Sequence, residues 1–145
     1  MALARLVVII DPNVLVSAFV SEHGIPYEVV SAWAATQFEL VVSPALLAEL
    51  HEVLSREKFR RYGSQAEVEV FVRRFKRAQL LGDPPLERLV PADPDDDYLM
   101  GLGRLANADY VVSGDRHLTE LRQPRPPVLS PRAFYELLAA RASRP

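Results

Sequence analysis

The sequence predicts an α/β fold with three layers, in which helices cover both faces of a mostly parallel central sheet of four to five strands. Three observations support this prediction. Short apolar runs rich in β-branched residues alternate with helical segments along the chain, as in βαβ units. The first run is apolar on both faces, which is typical of a strand buried on both sides. The length of 145 residues, 49% of them hydrophobic and 25% charged, fits one globular domain over residues 1–145.

The first half of the chain is predicted to contain two strands and three helices. Each helix begins at or near a proline, a residue suited to the first helical turn. In the third helix a serine precedes the proline and can cap the helix. The predicted elements are a strand over Arg5–Ile10, a helix from Pro12, a helix over Pro26–Ala35, a strand over Glu39–Val42, and a helix from Pro44 capped by Ser43.

The second half continues the alternation of helices and strands. A long helix precedes a weak strand signal, and two further strand signals lie near the end of the chain. The predicted elements are a helix over Gln65–Leu80, a short strand at Glu87–Val90, a helix over Pro94–Leu105, a strand over Tyr110–Ser113, a helical turn at His117–Leu121, a strand at Val128–Leu129, a helix from Pro131 to about Ala140 capped by Ser130, and a frayed tail over Arg141–Pro145.

The composition excludes several kinds of site. The chain has no cysteine, which excludes disulfides, thiolate metal sites and cysteine nucleophiles. Its three histidines, at positions 23, 51 and 117, match no zinc spacing, which leaves carboxylates as the metal-ligand set. Asp11 interrupts the apolar start, and no stretch reaches the roughly 20 apolar residues of a membrane helix. We therefore expect a cytoplasmic protein with no membrane partner.

Acidic residues follow the predicted strands at several places. Asp11 and Asp115 come directly after strands, Glu49 lies at the edge of the buried face of the third helix, and Asp93–Asp97 open a later helix. The carboxyl ends of parallel strands form one edge of a sheet, and ligands bind there. Carboxylates gathered at that edge repel one another unless a cation lies between them, and oxygen ligands favour Mg²⁺ or Mn²⁺. A metal-dependent enzyme is the expectation, with phosphodiester cleavage as its leading chemistry.

Each acid also has an ordinary structural explanation. Asp11 could cap a helix, Glu49 could be a surface residue, Asp115 could belong to a turn, and acids in a first helical turn gain from the helix dipole. The joint pattern carries the hypothesis, because four elements each deliver an acid to the same edge. The residues alone do not choose among Asp95, Asp96 and Asp97.

A basic segment between positions 56 and 77 contrasts with the net charge of −2. Cations beside an acidic metal centre are what a nuclease needs, because they attract backbone phosphates that the carboxylates repel. The alternative interpretation is a solvated helix face. The candidate RNA contacts are Arg56, Lys58, Arg60, Arg61, Arg73 and Arg74.

Four segments, taken together, resemble the motifs of PIN-domain ribonucleases, and within that family the toxin components of toxin–antitoxin systems related to VapC. They are residues 11–18, residues 43–50, the acidic helix start and residues 111–115, and they span nearly the whole chain in order. The resemblance implies a Mg²⁺- or Mn²⁺-dependent endoribonuclease with its catalytic and metal-binding acids at Asp11, Glu49, Asp97 and Asp115. Asp97 is preferred because the family's third acid precedes its fourth by about the 18 positions that separate Asp97 from Asp115.

The same resemblance implies supporting residues and partners. Asn13 and Ser113 match polar positions that support the acids, and Asp96 is a neighbour that could assist. An RNA substrate, a cognate antitoxin protein and a homodimer are the implied partners. The chain departs from the family at Pro12, where a small hydroxyl residue is usual, and at Gly101 and Gly103, where alanine is usual.

Two rival functions are weighed against this one. A non-catalytic PIN-like module that binds RNA or protein would be expected to have lost one or more acids, whereas all four are present. A phosphotransfer domain of the haloacid-dehalogenase type would need an aspartate at position 13, where Asn13 stands.

Overall fold

A wholly parallel sheet forms the middle layer of the computed structural model, which describes residues 4–83 and 94–143, without the side chains of residues 94–97. Five strands belong to it in this part of the chain, in the order β3-β2-β1-β4-β5. The prediction of a mostly parallel sheet of four to five strands is confirmed. The strands are β1 (Val7–Ile10), β2 (Glu39–Val42), β3 (Gln79–Leu80), β4 (Tyr110–Val112) and β5 (Val128–Leu129).

The strand order creates a topological switch point between β1 and β4. From β1 the chain moves outward through β2 to β3, and it then returns to the other side of β1 to form β4 and β5. Helices that leave the two central strands diverge at such a point, which opens a crevice at the carboxyl ends of the strands. The register pairs Ile10 with Val112, the last residues of β1 and β4. Asp11 and Ser113, the residues that follow these two strand ends, therefore lie side by side at this crevice.

Helices flank the sheet in a three-layer α/β/α arrangement. α1 packs against α2 and α3, α3 packs against α4, and α5 packs on β1 and β4. Within residues 4–83 and 94–143, no helix has the length and hydropathy needed to cross a bilayer. The helices are α1 (Pro12–Val20), α2 (Ile25–Ala34), α3 (Pro44–Leu54), α4 (Gln65–Arg74), α5 (Pro94–Leu105), α6 (Arg116–Thr119) and α7 (Pro131–Ala142), with 3-10 turns at Glu57–Phe59 and Phe75–Arg77.

The central strands lie in a continuous apolar core. The side chains of β1 and β4 are inaccessible to solvent from Val8 to Ile10 and from Val111 to Val112. Aromatic rings fill the space between sheet and helices: Phe38 meets Phe134 edge to face at 5.0 Å between ring centroids. Since close-packed interiors resist deformation, the residues that end these strands are held in fixed positions.

Several boundary predictions were wrong, among them the start of the first strand, which was predicted at Arg5 and lies at Val7. The helix predicted over Gln65–Leu80 ends at Arg74, and Gln79–Leu80 form β3. Both side chains of β3 are exposed, so that the strand exists because its backbone pairs with β2 and not because of its side-chain pattern. Arg141, predicted in a frayed tail, lies in α7 and donates a hydrogen bond from Nη2 to the Ala4 carbonyl oxygen at 2.6 Å. The predicted strand at Glu87–Val90 lies outside the described residues.

Gly103 allows α5 to approach its neighbours closely. A β-carbon at this position would lie 2.7 Å from Cγ of Pro126 and 3.1 Å from Cγ2 of Val111. Alanine is the better helix former by about 1 kcal/mol, yet we expect Gly103→Ala to destabilise the fold by about 1–3 kcal/mol, since overpacking outweighs propensity. Urea unfolding would measure the shift in midpoint at constant slope.

Gly82→Ala is the matched control for this prediction. A β-carbon at Gly82 would meet no atom of the described residues within 4 Å, so that its substitution should change stability by no more than about 0.5 kcal/mol. A Gly103→Ala protein as stable as the Gly82→Ala protein would show that α5 does not depend on this close approach.

Candidate active site

Asp11 is a buried acid at the switch point, and its position follows from the end of β1. Its backbone N–H donates to the Val112 carbonyl at 2.8 Å, which continues the pairing with β4. Its side chain caps α1, because Oδ1 accepts a hydrogen bond from the Asn13 N–H at 2.9 Å. Pro12 occupies the first helical turn, where it costs no hydrogen bond. Only 4% of Asp11 is exposed, so a carboxylate is held at the base of the crevice.

Ser113 connects Asp11 to Asp115. Its hydroxyl is fully buried, donates to Oδ2 of Asp11 at 2.7 Å, and accepts the backbone N–H of Asp115 at 3.0 Å. Asp115 in turn caps α6, since its Oδ1 accepts the His117 N–H at 2.8 Å. Two acids that are far apart in sequence thus belong to one chain of hydrogen bonds, in which the buried serine fixes the orientation of the Asp11 carboxylate.

Both of these acids line one cleft. The cleft has a volume of about 370 Å³. Asp11 is buried and Asp115 is half-buried, and both residues belong to the lining of this space. The remaining lining residues are Asn13, Val14, Ser17, Pro26, Gly114 and Pro131.

Glu49 lies on α3 and is exposed, outside the set of residues that line this cleft. The backbones of Asp96 and Asp97 are in α5, which packs on β1 and β4, but their side chains lie outside the described part of the structure. Among the described side chains, no three acids or histidines stand close enough together to hold a metal ion. The structure thus brings Asp11 and Asp115 together, and the convergence of Glu49 and Asp97 on them stays a prediction.

A second hydrogen-bond network lies beside Glu49 and was not anticipated from the sequence. Ser43 follows β2, is fully buried, and caps α3 through the Leu46 N–H at 3.2 Å. Its hydroxyl also contacts the Tyr98 hydroxyl, which donates to Oδ1 of Asp83 at 2.8 Å. The network ties the start of α5, one residue after Asp97, to the end of β2.

Burial and the bond to Asp83 raise the pKa of Tyr98, and the charges of Asp83 and Glu49 act in the same direction. The Tyr98 hydroxyl lowers the pKa of Asp83 by donating to its carboxylate. The tyrosine therefore stays protonated and the aspartate stays ionised at neutral pH. Asp83 lies in a Gly-Asp-Pro-Pro segment, which is typical of a helix end, and no local pattern in the sequence predicts its bond to Tyr98.

The predicted RNA contacts differ in their surroundings. Lys58 and Arg61 line a groove beside the cleft, and Arg73 and Arg74 lie exposed in the last turn of α4. Arg56, just after the end of α3, places Nη2 3.6 Å from Oε1 of Glu52. The Arg60 guanidinium is engaged within the protein, because it donates to the Leu54 carbonyl and, at 2.7 Å, to Gln65.

Comparisons with known proteins agree with this architecture. A family model described as PIN domain matches residues 7–117. The uncharacterized protein MJ1680 of Methanocaldococcus jannaschii is 25% identical over 119 residues, which cover 81% of this chain and 76% of that protein.

Two solved structures share the fold. The crystal structure of PAE2754 from Pyrobaculum aerophilum superposes with a TM-score of 0.64 at 16% identity, covering 97% of this chain and 99% of that one. The structure of VapBC2 from Rickettsia felis, bound to a DNA fragment from its promoter, superposes with a TM-score of 0.57 at 15% identity, covering 86% of this chain and 98% of the matched chain.

Proposed function

The chain belongs to the PIN domain family, and from this premise we propose that it is a divalent-metal-dependent endoribonuclease that hydrolyses RNA phosphodiester bonds. One observation carries the proposal: Asp11 and Asp115 line the same cleft at the topological switch point and are joined through Ser113. Open parallel sheets bind their ligands at this place.

The donor set fits a hard cation. Asp11 and Asp115 offer carboxylate oxygens, and Asn13, which lines the same cleft, offers an amide oxygen. Such ligands suit Mg²⁺ or Mn²⁺, and the chain has no thiolate to favour a softer metal. We propose that Asp11, Asp115, Glu49 and Asp97 hold the ion. When bound, it would lower the pKa of the attacking water and offset the charge that develops on the phosphate.

The protein's own groups prepare the site for that chemistry. The Asn13 N–H and the Ser113 hydroxyl each hold one oxygen of Asp11, so that the carboxylate needs little reorganisation when a ligand binds. The exposed cations Lys58 and Arg61 lie next to the cleft and would attract the phosphates that the acids repel. In this proposal the basic groove attracts the RNA backbone, and the adjoining acidic cleft hydrolyses the phosphodiester bond.

We further propose that the enzyme acts in the cytoplasm as the toxin of a toxin–antitoxin pair, and that it forms a homodimer. Likeness of fold to VapBC2, solved with DNA from its promoter, supports the search for an antitoxin partner. A neighbouring gene encoding a small protein that co-purifies with the chain would supply that partner. Light scattering would test the dimer against the 16.2 kDa mass of one chain.

Removal of the metal is the direct test of the activity. The pure protein is incubated with single-stranded and with structured RNA in Mg²⁺, in Mn²⁺ and in EDTA. We expect cleavage with either metal and none in EDTA, with activity restored when excess Mn²⁺ is added back. Cleavage that continues unchanged in EDTA would refute the metal assignment, and the absence of cleavage under every condition, together with RNA binding, would favour the non-catalytic module.

A further inference from the structure

A groove of about 650 Å³ opens directly beside the acidic cleft. Ser17 of α1 and Pro26 of α2 line both cavities, so that the two are adjacent. Its size is within the range of about 300–1,000 Å³ that is usual for ligand pockets. The residues that line this groove are Val16, Ser17, Val20, Ser21, Gly24, Pro26, Lys58, Phe59, Arg61 and Tyr62.

The groove is lined by apolar side chains of α1 and α2 and by a cluster of two aromatic rings and two cations over residues 58–62. Tyr62 is 43% exposed, and its ring centroid lies 6.4 Å from that of Phe59. Arg61 places its guanidinium carbon 5.2 Å from the Tyr62 ring centroid, and Lys58 places Nζ 5.3 Å from the Phe59 ring centroid. Phe59 is buried and supports the exposed Tyr62 ring. An exposed aromatic ring beside cations is the combination by which proteins bind single-stranded nucleic acid, through base stacking and phosphate attraction.

Charge favours an anionic occupant. The described residues that line the groove include two cations and no carboxylate. Tyr62 also borders a second depression, which is lined by Glu22, Glu67 and Arg74 and therefore has no excess of positive charge. An acidic peptide would share the charge complementarity of the groove, but its position next to the acidic cleft favours a ligand that extends from the site of phosphodiester chemistry.

We propose that this groove is a nucleobase subsite, which takes an unpaired base of single-stranded RNA against Tyr62 while Lys58 and Arg61 hold the adjoining phosphates. The inference rests on the proposed ribonuclease function and adds to it a preference for unpaired RNA. Bases in a duplex are already stacked and cannot enter, so the subsite selects unpaired segments.

Fluorescence anisotropy in EDTA would measure the affinity of a labelled single-stranded oligoribonucleotide without cleavage. We expect Tyr62→Ala to weaken binding roughly 5- to 150-fold, the range that corresponds to one stacked base. Tyr62→Phe keeps the ring and should bind within about twofold of the parent. Arg61→Gln should lower the salt dependence of log Kd by about 0.7, the value for one phosphate contact on a single strand.

Tyr135→Ala is the matched control, since Tyr135 is 37% exposed on α7 and lines a different depression. The affinity of Tyr135→Ala for the single strand should equal that of the parent, and a blunt duplex should bind the parent and both tyrosine-to-alanine variants alike. Equal losses from Tyr62→Ala and Tyr135→Ala, or no loss from either, would overturn the subsite. Tyr62-dependent self-association without RNA binding would assign the groove to a second copy and overturn it as well.

These outcomes separate the subsite from the enzyme activity. If Tyr62→Ala binds RNA like the parent while the parent cleaves RNA in Mn²⁺, the subsite is wrong and the ribonuclease stands. If binding depends on Tyr62 and no RNA is cleaved, the subsite stands and the ribonuclease is wrong.

Discussion

Asp11→Asn is expected to reduce RNA cleavage by more than about 100-fold while the protein remains folded. Substitution of groups that only orient metal ligands costs about 10- to 100-fold, and Asp11 is a proposed ligand itself. The substitution removes the negative charge at the base of the cleft but keeps the shape of the side chain. The new amide can still accept one of the two hydrogen bonds, from the Asn13 N–H or from Ser113. Initial cleavage rates in Mn²⁺ and thermal unfolding would be measured on the same preparation.

Asp109→Asn is a closely matched control for this result. Asp109 also joins β1 to the strand beside it, because its Oδ2 accepts the Val7 N–H at 2.8 Å, but it does so at the amino end of the sheet. Its variant should cleave RNA as the parent does, since that end of the sheet carries no proposed ligand. Equal activity of the Asp11→Asn and parent proteins would remove Asp11 from the catalytic set. Equal inactivation of both variants would point to a general loss of structure.

Ser113→Ala is expected to reduce cleavage about 10- to 100-fold and to destabilise the fold by about 1–3 kcal/mol. The activity falls because Oδ2 of Asp11 loses the bond that fixes its orientation. The stability falls because the fully buried hydroxyl also accepts the Asp115 N–H, which then loses that partner. Cleavage rates at saturating Mn²⁺, compared with urea unfolding, would separate the two effects.

Ser130→Ala controls for the loss of a serine hydroxyl at the same edge of the sheet. Ser130 follows β5 and caps α7 through the Ala133 N–H at 3.1 Å, so that its substitution should cost about 1 kcal/mol. Its activity should be unchanged, because the bond that its hydroxyl makes is to the backbone at the start of α7. If Ser130→Ala and Ser113→Ala lose activity in proportion to their lost stability, Ser113 has no orienting role beyond the fold.

Most of the fold was predictable because short apolar runs and helix-capping residues identify its strands and helix starts from local sequence. β2 and β5 have the predicted bounds, and Ser43 and Ser130 cap the helices that were assigned to them. The failure at β3 has a physical cause: two exposed residues form a strand only through the backbone of β2, and no property of their own side chains reports that pairing.

Of the candidate site, the sequence predicted the meeting of two acids that follow core strands. Asp11 directly follows β1 and Asp115 lies three residues after the end of β4, and the pairing of those strands brings both residues to one cleft, whereas their catalytic role stays a prediction. The Tyr98–Asp83 contact joins a helix to a loop across 15 positions, and no periodic pattern predicts such a bond. The aromatic residues of the groove are visible in the sequence, since Phe59 and Tyr62 lie within the basic segment between positions 56 and 77. The charges of that segment alone do not indicate an aromatic surface.

The hydrogen bond between Ser113 and Asp11 spans 102 positions of the sequence. During synthesis Asp11 leaves the ribosome 102 positions ahead of Ser113, so the serine that orients this acid is absent until the later segment has also emerged. In the proposed ribonuclease, activity that depends on the pair would therefore begin only after both segments have been synthesised and have met in the folded sheet.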